Sequence, residues 1–255
     1  MKKILLTIGF LLFFISVNAQ IGRFPFSRYF PPAEEGSSLT TGIIGFWPAD
    51  ESEGTTLTDA VSTNNFTTLN ITWSSGMVFD NTTDRARSSG NVAAFADLGD
   101  EFTIALWATL TSTPNSGGRD YYFWAQNNGE APYRTYCLWG EQSDNKLYFS
   151  VNTAGGEVIA EGSALAASTL YHIVATYNGS TLKLYINNSD VTAAPAAQSG
   201  NIIVGDDYTY VGNRDGTNCG PNGTLRTIGL WGKCLSSDEI TELYNAGTPL
   251  DYPFE

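Results

Sequence analysis

Short runs of apolar residues, several with strict apolar–polar alternation, recur along the chain from residue 43 onward, and turns rich in Gly, Asn, Asp and Ser separate them. Alternation with a period of two is typical of strands that bury one face. The predicted strands are IIGFW (43–47), MVF (77–79), FTIALWATL (102–110), YYFWAQ (121–126), KLYFSV (146–151), YHIVATY (171–177), LKLYIN (182–187), YTYVG (208–212) and TLRTIGLW (224–231). Many short strands without alternating helices predict an all-β fold, a two-sheet antiparallel sandwich or jelly roll.

One short helix is predicted near the C-terminus, in KCLSSDEITELYNAGTP. Ser236 and Glu239 have the spacing of a capping box, in which each side chain bonds the other residue's backbone N–H. Leu235 and Ile240 are placed for a hydrophobic staple across the first turn. Gly247 and the proline at 249 are expected to end the helix, which would close the β-domain.

The stretch YHIVATYNGSTLKLYINN (171–188) predicts a hairpin and contains the only histidine of the chain. With the turn at 178–181, Tyr177 faces Leu182, and a period of two puts the apolar residues of both strands on one face. His172 then lies on the opposite face, pointing away from the core between the sheets. Neither a carboxylate in the hairpin nor a G-x-S-x-G motif elsewhere gives His172 a partner for catalysis. We therefore do not expect His172 to be a catalytic base.

The N-terminus has the features of a secretory signal peptide. Lys2 and Lys3 precede an apolar stretch, and small residues at 17 and 19 predict cleavage before Gln20. The apolar run is short for a retained membrane anchor, so we expect a secreted protein with no membrane span after cleavage. Residues 20–41 contain three prolines and a Glu-Gly-Ser-Ser run, which indicates an arm or linker before a domain at 42–255. The aromatic and basic first half of this arm either packs on the same domain or docks to another subunit.

The formal net charge of −13 over 255 residues argues against nucleic acid or an anionic membrane as a partner. Two explanations remain open: solubility outside the cell, or carboxylates that bind a divalent cation. Of the three cysteines, Cys219 and Cys234 are separated by a predicted strand. They could form a disulfide only if the loop carrying Cys219 folds back along that strand, so the pairing stays open.

Four stretches together resemble the laminin-G-like, concanavalin-A-like lectin jelly-roll family: GIIGFWPADESEGTTLTDA, FTIALWATL, LYHIVATYNGSTLKLYINN and GLWGKCLSSDEITELYNAG. The resemblance runs from Gly42 to Gly247. It implies a jelly roll with a closing helix, in a family that includes lectin-like modules, adhesion domains, accessory domains of enzymes and virion proteins. Laminarinase-type hydrolases of this fold carry Glu-x-Asp-x-x-Glu on one strand. This chain lacks that motif, so we do not expect an enzyme.

Calcium is the cofactor that the resemblance suggests, because family members often hold Ca²⁺ on loops at the sheet edge through acidic and amide oxygens. FDNTTDRARSSG resembles the family's Phe-Asp-Gly-x-x-Asp segment, although Arg85 and Arg87 could neutralise its acids without a metal. Leu225 and Arg226 stand where many relatives have acidic residues, which weakens the resemblance. The candidate metal ligands are Asp80, Asn81, Asp84 and Asp215; the alternative is that they are solvated turn residues.

A ligand surface is predicted in RDYYFWAQNNGEAPYRTYCLWG, a loop-rich stretch in which aromatic rings lie beside polar groups, as glycan sites require. The candidate ligand-binding residues are Trp124, Asn127, Asn128, Tyr133, Arg134 and Tyr136. The competing explanation is that these aromatic residues belong to the core. The preferred hypothesis is a secreted, non-enzymatic domain that recognises a glycan or is adhesive at a cell surface. The alternative is a structural subunit of an extracellular filament or a virion or phage attachment protein, with residues 20–41 as its docking arm.

Overall fold

A computed structural model describes residues 37–80, 83–127, 134–193, 199–214 and 218–254. The predicted signal peptide and residues 20–36 of the predicted arm lie outside these ranges. In the part of the chain that the structure describes, no helix is long and apolar enough to cross a bilayer.

Strands are the main regular secondary structure of the described chain, as the alternating pattern predicts. In chain order, β1 to β16 are Ile43–Trp47, Thr56–Leu57, Phe66–Leu69, Thr72–Trp73, Met77–Phe79, Arg85–Ser88, Glu101–Leu110, Tyr121–Asn127, Arg134–Gly140, Lys146–Thr153, Gly156–Ala164, Leu170–Asn178, Leu182–Ile186, Ser189–Asp190, Thr209–Gly212 and Gly223–Trp231. The helices α1 to α3 are Ala93–Ala96, Pro114–Gly117 and Ser237–Tyr244, and 3₁₀ turns cover Ser38–Thr40 and Asn245–Gly247. The single-turn helices α1 and α2 are additions to the predicted pattern.

The strands form two antiparallel sheets, which confirms the predicted jelly-roll sandwich. The first sheet has the order β14-β13-β12-β7-β16-β5-β4, and β1 also pairs with β16. The second has the order β11-β10-β9-β8-β15-β6-β3-β2. Strand β16 changes its partner along its length: its first part pairs with β5 and its last part with β1.

The main hydrophobic core lies between the two sheets, and aromatic rings fill its centre. Trp47, Phe66, Phe95 and Trp124 are all buried and contact one another at centroid distances of 5.1 to 6.0 Å. The predicted hairpin is confirmed as β12–β13, with Tyr177 opposite Leu182. Its predicted core face supplies Tyr171, Ile173, Ala175, Tyr177, Leu182, Leu184 and Ile186 to the core.

A second hydrophobic cluster covers the outer face of the first sheet. Helix α3 contributes Ile240 and Leu243, and the predicted capping box is present between Ser236 and Glu239. The helix ends earlier than predicted, because Asn245 adopts the left-handed conformation at φ 43° and serves as the C-cap.

Leu39 also belongs to this second cluster, although the sequence places it in the arm. The Leu39 side chain is fully buried, and Trp231 Nε1 donates a hydrogen bond of 2.7 Å to the Leu39 carbonyl. Lys233 Nζ donates to the Ser38 carbonyl at 3.0 Å. The end of the predicted arm is therefore a packed part of the domain.

No disulfide joins the three cysteines, all of which lie in the described part of the chain. Cys219 packs beside Tyr122 on the second sheet, and its carbonyl accepts a hydrogen bond from the Tyr122 backbone N–H. Cys234 lies next to Leu235 of the second cluster. The loop carrying Cys219 does not bring its thiol back to Cys234.

Candidate functional site

The stretch predicted as a loop-rich ligand surface forms two neighbouring strands, β8 and β9, of the second sheet. Their register shifts between Tyr122 and Trp124, a β-bulge that places two residues opposite one. Because of this bulge, both Phe123 and Trp124 belong to the core. The alternation resumes beyond it, with Ala125 on the outer face.

Two of the predicted ligand residues are core residues, which corrects the predicted surface. Trp124 is fully buried among the aromatic rings between the sheets. Tyr136 is also fully buried, and its hydroxyl donates a hydrogen bond of 2.8 Å to the Phe95 carbonyl. Neither ring is exposed to a ligand. Asn127 is half-buried at the end of β8, whereas Asn128 and Tyr133 lie outside the described residues.

The outer side of β8, β9 and β10 carries a row of aromatic residues that we call the aromatic face: Tyr122, Trp139 and Tyr148, with Arg134 above them. Tyr122 is the cross-strand partner of Trp139, and Trp139 is the partner of Tyr148. The Trp139 and Tyr148 rings stack at 5.5 Å, and the Arg134 guanidinium lies 5.1 Å from the centre of the Trp139 ring. Tyr122 and Trp139 are each 5% exposed, and Tyr148 is half-buried.

Polar groups surround the aromatic face on its β10–β11 side. Arg134 forms an ion pair of 3.2 Å with Glu157, and Lys146 pairs with Glu161. The Tyr148 hydroxyl donates a hydrogen bond of 2.9 Å to Asp144. Desolvation and then the hydrogen bond to Asp144 raise the pKa of Tyr148, so the phenol stays protonated. At this edge of the sheet, the Tyr148 ring can pack against an apolar surface of a ligand. The charged side chains around it supply hydrogen-bond donors and acceptors for hydroxyl groups of the ligand.

Trp139 lies in the predicted stretch, whereas Tyr148 lies outside it, although the sequence pattern contains a signal for Tyr148. In KLYFSV, Leu147, Phe149 and Val151 lie on the core face. The period of two then places Tyr148 on the other face. Arg134 is the predicted residue that does lie at this surface.

His172 lies on the outer face of the first sheet, as the hairpin register predicts, but it is buried there. Its ring lies 4.8 Å from the Trp107 ring and 5.8 Å from Tyr244 of α3, and the side chain is 1% exposed. Desolvation lowers the pKa of His172 to about 3. A neutral imidazole closed off from solvent beneath a helix is a packing residue, not a general base.

The predicted calcium ligands are only partly within the described chain. Asp80 is exposed, whereas Asp84 is fully buried and its Oδ2 accepts a 2.8 Å hydrogen bond from the Asp80 backbone N–H. Asn81 and Asp215 lie outside the described residues. Across the described ranges, no three His, Cys, Asp or Glu side chains form a group that could hold a metal ion. Calcium therefore stays a prediction.

A cleft that the sequence does not predict lies on the outer face of the first sheet around Arg226. It consists of two adjoining cavities of about 230 and 260 Å³, both lined by Ser75 and Arg226. Trp107 and Leu170 line the first cavity. Asp50 and Asp251 line the second.

The fold can be compared with those of known proteins. A laminin G family model, described as the concanavalin A-like lectin/glucanases superfamily, matches residues 60–241. The chain belongs to this family. A search of curated proteins found no match.

Solved structures share the fold at low sequence identity. A Trypanosoma rangeli sialidase in complex with sialic acid superimposes with a TM-score of 0.62 at 16% identity, over 80% of this chain and 33% of the sialidase chain. The receptor binding domain of botulinum neurotoxin C/D mosaic serotype superimposes with a TM-score of 0.58 at 14% identity, over 83% of this chain and 55% of that domain. The chain thus spans about a third of the sialidase and about half of the neurotoxin domain.

Proposed function

We propose that this lectin-family protein is a non-enzymatic carbohydrate-binding domain that acts outside the cell, and that the aromatic face is its binding surface. The observation that carries the proposal is the half-buried Tyr148 ring, which stacks on Trp139 and lies beside the Arg134–Glu157 and Lys146–Glu161 pairs. Carbohydrate binding is consistent with the lectin family of the chain. The similar sialidase is described in complex with sialic acid, and the similar neurotoxin domain binds a receptor.

In this proposal, Tyr148 is the main contact because it is the most exposed ring of the row. The apolar side of a sugar ring would pack against it, while the Arg134–Glu157 and Lys146–Glu161 pairs bond the sugar hydroxyls. Ile159, which is 42% exposed on the neighbouring β11, extends the apolar contact. A site with one partly exposed ring and a polar rim contacts a single sugar unit. It therefore favours the terminal sugar of a glycan over an internal unit of a long sugar chain.

A glycan array followed by calorimetry on the strongest ligand tests this function. Tyr148→Ala should weaken binding by roughly 1–2 kcal/mol because it removes the aromatic contact. Tyr185→Ala is the matched control, since it removes a partly buried tyrosine from β13 of the other sheet. Absence of binding by the natural protein, or equal affinity of Tyr148→Ala, would contradict the proposal.

The absence of catalysis is part of the same proposal. Glu157 and Glu161 are carboxylates on the outer side of β11, four residues apart, which corresponds to about 13 Å along an extended strand. Retaining and inverting hydrolysis need carboxyl groups within about 5–10 Å of each other. Each glutamate is also paired with a cation. Ligands recovered from the calorimeter should therefore be uncleaved by mass spectrometry, and release of a shorter sugar would contradict this part.

We also propose that Ca²⁺ binds the loop that contains Asp80 and Asp84, with Asn81 and Asp215 as further ligands. Carboxylate and amide oxygens on a loop are the donors that calcium prefers. Adding Ca²⁺ to chelator-treated protein should raise the melting temperature, because binding to the folded state stabilises it by RT ln(1 + [L]/Kd). Asp80→Ala should abolish this shift, with Asp97→Ala as the control at another exposed aspartate. An unchanged melting temperature at millimolar Ca²⁺ would refute calcium binding.

A further inference from the structure

We propose that the cleft around Arg226 is a second binding site, separate from the aromatic face, and that it takes a sugar residue bearing a carboxylate. The inference relies on the proposed function for the class of ligand, but it concerns a different surface. Arg226 lines both cavities of the cleft.

The cleft exists because β16 changes its partner strand. Its residues up to Leu225 pair with β5, and those from Ile228 pair with β1. On its other side, the register with β7 shifts between Arg226 and Gly229. Arg226 and Thr227 therefore lie where the ladder is interrupted. The interruption opens the sheet surface and directs the Arg226 side chain to the outer face, since Leu225 before it is in the core.

Three residues that line the cleft hold an unfavourable backbone conformation. Ala49, Ser75 and Thr227 have φ values of 59°, 51° and 51°, and all three border the second cavity. Such a conformation costs an L-residue free energy, most of all a β-branched residue such as Thr227. The Thr227 N–H donates a 3.0 Å hydrogen bond to the Pro48 carbonyl, which helps to hold it. Strain of this kind concentrates at ligand-binding sites.

The first cavity offers the groups that an acidic sugar needs. Arg226 makes no hydrogen bond or ion pair within the described part of the chain, although the protein as a whole is strongly acidic. The indole N–H of Trp107 is buried and likewise has no hydrogen-bond partner among the described residues. Thr109, Thr224 and Leu170 also line this cavity.

These groups select a ligand by charge, shape and size. A guanidinium binds a carboxylate through two parallel hydrogen bonds, which neutral hydroxyls cannot reproduce. The threonine hydroxyls can bond ring hydroxyls, and Leu170 supplies an apolar contact. The volume of the first cavity, about 230 Å³, suits one sugar ring. It is below the roughly 300–1,000 Å³ of pockets that hold drug-sized ligands. Asp50 and Asp251 line only the second cavity, so the carboxylate is expected in the first.

Calorimetry with monosaccharides tests the inference. The probes are glucuronic acid, galacturonic acid and N-acetylneuraminic acid, with glucose as the neutral counterpart. At least one acid should bind the natural protein more tightly than glucose. Arg226→Gln should weaken that binding at least about tenfold, because a charge-assisted contact is lost. Lys183→Gln is the matched control, since Lys183 is an exposed cation of the same sheet, on β13.

A second variant keeps the test decisive if Arg226→Gln does not fold. Arg226→Lys retains the charge but lacks the planar fork, so it should bind the acid more weakly than the natural protein. Binding of none of the acids, or an unchanged affinity in every Arg226 variant that folds, would overturn the inference. If Tyr148→Ala abolishes acid binding while Arg226→Gln retains it, the acid binds the aromatic face. That result would support the proposed function and reject the second site.

Discussion

In this protein, the burial of a side chain, and not its residue type, decides whether it can contact a ligand or only packs in the interior. Trp124 and Tyr136 have the composition of a glycan site but lie between the sheets. His172 was correctly placed on the outer face by period two, yet its burial depends on Tyr244, a residue of the distant helix α3. The sequence pattern gives the side of the strand on which a residue lies. It does not give what covers that side.

The burial of His172 predicts a pH-dependent stability. Its pKa in the folded protein is lowered to about 3, whereas an unfolded histidine titrates near 6.5. Below about pH 6.5 only the unfolded chain takes up this proton. The contribution of the buried, neutral His172 to the free energy of unfolding is therefore fully present above pH 6.5. Below that pH, the free energy of unfolding falls by about 1.4 kcal/mol per pH unit until about pH 3.

Chemical denaturation between pH 6.5 and pH 5 measures this effect before most carboxylates titrate. The chain has one histidine, so His172→Phe should remove the slope in this interval while keeping a ring between Trp107 and Tyr244. An equal slope in the natural protein and in His172→Phe would show that the ring is accessible to protons in the folded state.

At the level of secondary structure, the prediction found one hairpin and the closing helix but not all of the strands: β2, β3, β4, β6, β9, β11 and β14 were not predicted. The hairpin β12–β13 and the helix α3 have clear periods, and both were predicted from the sequence. Strand β9 was missed because both of its faces are buried: Tyr136 and Leu138 face the core, and Cys137 and Trp139 lie on the outer side. A strand that is apolar on both sides has no alternation to detect. Strand β9 also carries Trp139, the central ring of the aromatic face, and Arg134 beside it.

The capping box of Ser236 and Glu239 contributes to the stability of helix α3. Ser236 Oγ accepts a hydrogen bond of 3.3 Å from the Glu239 N–H, and Glu239 Oε2 accepts one of 2.9 Å from the Ser236 N–H. Ser236→Ala should lower the free energy of unfolding by about 1 kcal/mol. Ser237→Ala, one residue inside the helix and exposed, should change it by no more than about 0.5 kcal/mol. Thermal unfolding of both variants makes the comparison, and equal losses would argue against a specific role for the cap.

For the whole molecule, the two-sheet architecture could be predicted because many short amphipathic strands have few ways to bury their apolar faces. The cleft around Arg226 could not. It is assembled from residues near 49, 75, 226 and 250, which come together only through the exchange of β5 for β1 along β16. Sequence patterns describe neighbours along the chain. They carry little information about a gap formed by four distant segments.

The N-terminal boundary of the folded domain lies before Leu39. Leu39 is fully buried, and its carbonyl accepts the Trp231 indole N–H. A chain that begins at Gly42 should therefore be less stable than one that begins at Ser37, by roughly 2–4 kcal/mol from the lost apolar burial and hydrogen bond. Thr40→Ala in the longer chain is the control, because this side chain is exposed.

Denaturant unfolding compares the two chains, and equal midpoints would place the domain boundary after residue 41. Light scattering on the chain from Ser37 and on the chain from Gln20 then tests the docking role of the arm separately. If residues 20–36 join subunits, only the longer chain should gain mass with concentration. Equal masses would reject the docking role, and because the chain from Ser37 keeps Leu39, a lost domain contact could not explain that result.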